Sequence, residues 1–215
     1  MFPMSPKMLR QFTLGLIFGG FSLIFASCGS VEDRRNQMLV SVKDQKLLLV
    51  RDGQAIKSYP ISTSKFGLGS QSGSKRTPLG KMAVAKKIGG GARAGTVFKS
   101  RRPTGEVLRP NAPGRDPIVS RIIWLTGRER QNRNTYARFI YIHGTPEEWR
   151  IGQPASYGCI RMKSRDVIDL YKRVGVGSQV RIMRDSLVRT NEGREHYAKT
   201  HRTAGQVALT FPKHD

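Results

Sequence analysis

Acidic residues are scarce in this chain: 15 Asp and Glu stand against 38 Lys and Arg, a net charge of +23 over 215 residues. Cysteine is scarcer, with only two, which excludes a disulfide-dense scaffold. Four histidines beside those two cysteines make a poor set for a zinc ribbon. No internal repeat is visible. Gly89-Gly90-Gly91 is not followed by the Gly-Lys-Ser/Thr that a phosphate loop needs. The longest uncharged apolar run, Phe12 to Ala26, falls short of the ~20 residues of a comfortable membrane span. What is present suffices for a core: 38% of residues are hydrophobic, so wholesale disorder is excluded and one domain with appendages is expected.

The charge is unevenly spread. Between Gly53 and Gly105 lie eleven basic residues and no acidic one. Two readings fit: a solvated basic face, or adhesion to an anionic polymer or lipid head groups.

The first thirty residues bear on that choice. Lys7 and Arg10 precede the apolar run, which has the length of a signal-peptide core and ends in Ala26-Ser27 directly before Cys28. This resembles a bacterial lipoprotein signal, which implies lipidation of the Cys28 thiol and cleavage before it. Phe25 departs from the leucine usual three positions before that cysteine. An ordinary secretory signal or an uncleaved anchor is the alternative. Either way the chain is expected to be exported to the cell envelope or periplasm, as a membrane-anchored lipoprotein on the first reading. Export argues against a nucleic-acid partner despite the charge.

The organisation expected is a signal peptide over 1–27, a linker over 28–36, a mostly β domain over 37–183 and a basic, polar tail over 184–215. Within the domain, Leu47 to Val50 and Ala55 to Ile61 flank Asp52-Gly53, a strong hairpin signal. Leu39 to Val42, Met82 to Val84, Ile122 to Leu125, Phe139 to Ile142 and Val180 to Ile182 read as further strands. Lys86 to Arg102, and the segment punctuated by Pro103, Pro110, Pro113 and Pro117, read as loops. One helix is predicted from Ser164, its N-cap, with Val167, Leu170, Tyr171 and Val174 at helical spacing and Gly175 closing it. The fold class is mostly β.

Candidate chemistry lies between His143 and Cys159. Three of the four histidines (His196, His201 and His214) fall in the tail, so His143 is the domain's sole imidazole and Cys159 its sole thiol. A cysteine nucleophile reacts as the thiolate and needs a base or cation nearby. Imidazole can take that proton and deliver it to a leaving amine. Gly158 permits tight backbone geometry beside the nucleophile, where amide N–H groups can face an oxyanion. Arg161, two residues on, points to the same side if the chain is extended, where it can favour the thiolate or hold a substrate carboxylate. A buried structural cysteine with a hydrogen-bonded core histidine fits the same residues.

His143-Gly144-Thr145 followed by Ser156-Tyr157-Gly158-Cys159-Ile160-Arg161-Met162 resembles the signature of the L,D-transpeptidase (YkuD-type) catalytic domain. Leu47 to Gly53 with Tyr59-Pro60-Ile61-Ser62-Thr63 is similar to that family's opening hairpin, and Thr77-Pro78-Leu79-Gly80 to its Thr-Pro-x-Gly turn. The resemblance runs from about Gln37 to Ile182. It implies a mixed β-sheet sandwich or barrel with one helix after the nucleophile. It also implies acyl transfer on peptidoglycan tetrapeptide stems, without metal or cofactor. In that scheme Cys159 is the nucleophile and His143 the acid/base, its ring oriented by the Gly144 carbonyl. The Gly158 and Cys159 amides are oxyanion candidates, and Ser156 and Arg161 line the site. Tyr157 stands where many members carry a second histidine. The acyl acceptor is another stem or a protein. Water as acceptor makes an L,D-carboxypeptidase or amidase of the same scaffold, and a basic wall-binding lipoprotein without activity is the non-enzymatic alternative.

Overall fold

The computed structural model describes residues 31–210, with side chains as far as 200. The expected signal peptide and Cys28 lie outside the described residues. No helix of the described residues is long and apolar enough to cross a membrane.

Ten strands join one mixed sheet. They are β1 (Asn36–Ser41), β2 (Lys46–Arg51), β3 (Gln54–Pro60), β4 (Gly80–Ile88), β5 (Thr96–Lys99), β6 (Arg102–Val107), β7 (Ile118–Gly127), β8 (Tyr141–Gly144), β9 (Ile160–Met162) and β10 (Gln179–Met183). The order is β3-β2-β1-β10-β4-β7-β5-β6, with β8 and then β9 added beside β7. Pairings are antiparallel except β1 with β10 and β8 with β9. Asp52 and Gly53, with φ of 49° and 77°, make the two-residue turn between β2 and β3. Positive φ at both central positions is what the right-handed twist of the flanking strands demands.

Lys86 to Arg102 and the segment after it are loop only in part: residues 89–95 and 108–117, the latter with Pro110, Pro113 and Pro117, are turn or coil. Between them β5 and β6 form a hairpin, and β6, which contains Pro103, takes the sheet edge. An edge position tolerates the missing N–H, which a central strand would not.

Inward residues Met38, Val40, Leu47, Leu49, Val84, Ile123, Leu125, Ile142, Ile160 and Met162 make the main core with Val167 and Leu170 of α1 (Ser164–Arg173) and with Val174, its C-cap. The buried positions Ser164, Val167 and Leu170 of α1 recur every three residues, and the C-cap Val174 follows after four, one face of a 3.6-residue helix. Its cap differs from the expectation. Lys163 is the N-cap, and Ser164 opens the helix with its N–H donated to Glu148 Oε1 at 2.8 Å. A carboxylate there meets both an orphan donor and the positive end of the helix dipole. Gly175 follows the C-terminal turn without a left-handed φ; its N–H goes to Asp33 Oδ2 at 2.6 Å. Burial works to raise the Asp33 carboxyl, but hydrogen bonds from Ser178, Asn36 and Gly175 outweigh it and hold it at about 2.

The tail is more ordered than its polar composition implies. A 3₁₀ turn (Leu187–Arg189) is followed by α2 (Asn191–Thr210), so the fold has two helices rather than one. Leu187 is buried with Leu39, Leu48 and Val50 on the outer face of the first hairpin, and Tyr197 packs against the same cluster. Thr190 Oγ1 accepts the Gly193 N–H at 3.0 Å and caps α2.

Candidate active site

Strand alternation assembles the site. β8 and β9 pair in parallel, Ile142 with Ile160 and His143 with Arg161. Ile142, Ile160 and Met162 enter the main core. With a period of two, Tyr141, His143, Cys159 and Arg161 face the opposite side together. There Cys159 packs against Phe98, Ile122, Trp124 and Tyr141. The two residues separated by sixteen positions therefore share one face, His143 directly opposite Arg161 and Cys159 one residue before β9.

The nucleophile turn is held from three directions. Ser156 Oγ donates to the Cys159 carbonyl at 2.6 Å and accepts the Gly158 N–H at 3.2 Å. Thr77 Oγ1 donates to the Gly158 carbonyl at 3.1 Å, which ties the Thr-Pro-x-Gly turn to this one. Gly158 has a φ of +123°, a conformation in which any side chain would be strained. Its N–H, an expected oxyanion donor, is already taken by Ser156. Among the described residues nothing accepts the Cys159 N–H, which leaves it as the available donor.

Cys159 Sγ lies 3.4 Å from both the Tyr141 N–H, which donates to it, and the Phe139 carbonyl, to which it donates. Phe139 has a φ of 56°, and this kink starts β8 two residues later than the apolar run predicts. Burial pushes the thiol up to about 11, while the Tyr141 N–H and the Arg138 guanidinium pull the other way. His143 is buried, and burial lowers its pKa most; the Gly144 carbonyl and Asp116 oppose that, and Arg161 adds to it. Nδ1 lies 2.8 Å from the Gly144 carbonyl. A carbonyl only accepts, so Nδ1 carries the proton and Nε2 is left as the basic nitrogen. Both members of the pair therefore rest neutral.

Gly144 needs its lack of a side chain. A Cβ there would stand 2.6 Å from the Val119 carbonyl. The close approach accompanies a bulge in β7 between Val119 and Ile122, where Ser120 adopts a φ of 67°. Bulges of this kind re-aim side chains beside functional sites.

Arg161 is placed on the expected side but is not free. Only 2% exposed, it pairs through one nitrogen with Asp116 and, at 3.0 Å, with Glu147; its other terminal nitrogen reaches Ser62 Oγ at 3.4 Å. Asp116 also accepts the Thr145 hydroxyl. A guanidinium that already faces two carboxylates of its own chain does not offer its fork to a substrate carboxylate, so that expected role is withdrawn. Asp116, Glu147 and Arg138 were not singled out from sequence. The scarcity of acids was an available signal: in so basic a chain, carboxylates beside a motif have few duties to choose from.

Behind the nucleophile an aromatic wall fixes the segment from Tyr136 to Tyr141. Trp124 stacks on Tyr136 at 4.0 Å and meets Tyr141 edge-on at 5.4 Å. Tyr157 lies on the outer rim, 60% exposed.

Residues 35–182 match the family model of the YkuD L,D-transpeptidase catalytic domain. The chain is 36% identical over 149 residues to the putative L,D-transpeptidase YqjB of Bacillus subtilis, covering 69% of this chain and 72% of that one. It is 26% identical over 168 residues to the putative L,D-transpeptidase YkuD of Bacillus licheniformis, covering 78% of each. Among solved structures it is similar to an L,D-transpeptidase from Mycobacterium smegmatis, 18% identical with a TM-score of 0.46, covering 69% of this chain and 58% of that one. The chain thus spans less than two thirds of that solved protein. It belongs to the YkuD L,D-transpeptidase catalytic-domain family.

Proposed function

We propose that this chain is a cysteine-dependent L,D-transpeptidase that works on peptidoglycan tetrapeptide stems through a thioacyl-enzyme. The observation that carries this reading is the placement of Cys159 and His143 on one face of adjoining strands, with Nε2 left basic by the Nδ1 bond to Gly144. His143 takes the Cys159 proton as sulfur attacks the carbonyl of the diamino acid that precedes the terminal D-alanine. The developing oxyanion faces the Cys159 N–H. Collapse breaks the peptide bond, the imidazolium gives its proton to the departing D-alanine amine, and a thioester remains. An amine of a second stem or of a protein then attacks the thioester. It passes its proton to His143, which returns it to the leaving thiolate.

Splitting the reaction in two lets an amine enter where D-alanine has left. The test is purified protein with a defined tetrapeptide donor and an amine acceptor, products read by mass spectrometry. Crosslinked product is expected. Tripeptide alone, with acceptor in excess, would make the protein a carboxypeptidase.

Export and a lipid on Cys28 complete the proposal and confine the enzyme to the envelope where its substrate lies. Cys28→Ser is expected to move the protein from the membrane to the soluble fraction with donor turnover intact. Persistent membrane association would contradict a thiol-linked anchor.

A further inference from the structure

Arg161, held by Asp116 and Glu147, is not free to read the charge of an acidic peptide. Beside the nucleophile turn lies a groove of about 340 Å³ lined by Gly73, Lys75, Arg138, Ile140 and Tyr157 among others, with no carboxylate in its wall. It adjoins the residue before the nucleophile: a Cβ on Gly158 would stand 3.4 Å from the Lys75 and Arg76 carbonyls and 3.5 Å from Ile140.

Two lysines stand over aromatic faces here, Lys75 in the wall of the groove and Lys65 against the wall residue Tyr157. Lys65 Nζ is 4.5 Å from the centre of the Tyr157 ring and donates to the Tyr157 hydroxyl at 3.2 Å. Lys75 Nζ is 5.6 Å from the same ring and 6.0 Å from that of Phe66. The two rings are 5.5 Å apart, and both are exposed. Such faces hold an ammonium in place without neutralising it. The backbone is pinned as well. Lys75 has a φ of 56°, and its carbonyl accepts the Ser64 hydroxyl at 2.5 Å. Positive φ in a non-glycine residue is kept only where the surroundings fix it, which recurs at ligand clamps. Arg138 is locked below by the Gly69 and Arg76 carbonyls, at 3.1 and 2.7 Å. Among the described residues neither Lys65 nor Lys75 has a carboxylate partner.

Resting on the transpeptidase reading, we propose that Lys65 and Lys75, held over Tyr157 and Phe66, form a subsite for the free carboxylate of the isoglutamate or of the diamino acid of the acyl-donor peptide. The Tyr157 hydroxyl accepts from Lys65 and keeps its own proton to donate to that carboxylate. Peptide stems offer such groups at more than one residue, and the groove selects one of them. A tyrosine at this position then serves recognition, where a histidine would titrate.

The test is binding of three synthetic tetrapeptides to the Cys159→Ala protein by calorimetry: one with all carboxylates free, one amidated at the isoglutamate, one amidated at the diamino acid. One of the two amidations is expected to weaken binding about fivefold per lysine engaged, the scale of a partly exposed ion pair. Lys65→Gln with Lys75→Gln should erase that difference, and Lys75→Arg should keep it. Equal binding of the three peptides, no binding of any, or discrimination that survives the double variant would overturn the subsite. Turnover by the unaltered protein is scored separately. Its absence would sink the transpeptidase reading, whereas the binding differences decide the subsite.

Discussion

His143→Ala should slow acylation of Cys159 by a tetrapeptide about 10²–10⁴-fold, the usual worth of a positioned acid/base. The size of the effect follows from the resting state. The thiol, at about 11, is almost wholly protonated near neutrality, so attack depends on a base at the moment of reaction. Burial lowers the pKa of His143, so the imidazole stays unprotonated further into acid than an exposed one. The acylation rate should therefore hold as pH falls through the ordinary imidazole range near 6.5 and decline only below it. In His143→Ala that acid limb should vanish and the rate should instead climb with pH toward the thiol's own titration. Stopped-flow acylation from pH 5 to pH 10 reads both. A variant with the same profile and rate as the unaltered protein would remove His143 from the chemistry.

Arg161→Met is the second large effect, and it falls on stability. Removing the guanidinium, itself only 2% exposed, leaves Asp116 without a cation and Glu147 with only Arg150 at 3.6 Å, the two carboxylates each about a quarter exposed. Breaking a fully buried pair by deleting one partner costs about 3–5 kcal/mol. With both carboxylates a quarter exposed, the loss expected here is smaller, about 2 kcal/mol, still a sizeable part of the stability of an ordinary domain. Arg161→Lys keeps the charge but not the planar fork that spans Glu147, Asp116 and Ser62, so it should recover part of the loss. Combining Arg161→Met with Asp116→Asn and Glu147→Gln should also recover part, because the orphaned charges go with their partner. Urea denaturation at pH 7 checks the series. A methionine variant as stable as the parent would mean that the three groups are not an interdependent cluster.

The legible parts of the fold share a cause: their signals are local. Asp52-Gly53 fixes its own turn, and the spacing of Val167, Leu170 and Val174 reports one buried helix face. The Cys159-to-Arg161 alternation needs only an extended chain, so their common side could be read before the partner strand was known. The illegible parts are long-range. Arg161 has its carboxylates 45 and 14 residues away, and no local pattern distinguishes a satisfied guanidinium from one waiting for substrate.

β6 looks unlike a strand because Pro103 forbids a central place, and only the sheet order shows that it occupies the edge. α2 is mostly polar because Tyr197 and the preceding Leu187 provide its described anchoring to the hairpin. The Gly158 amide was taken as a donor from its neighbourhood; its bond to Ser156, two residues back, shows that the turn uses it internally.

The central claim is a thioester on Cys159. Intact-protein mass spectrometry of enzyme quenched during turnover of a tetrapeptide, followed by peptide mapping, addresses it directly. The expected result is one added tripeptidyl group, mapped to Cys159, absent from Cys159→Ala and nearly absent from Cys159→Ser, whose hydroxyl is far less ionised than a thiol. Continued turnover of the tetrapeptide by folded Cys159→Ala would contradict it.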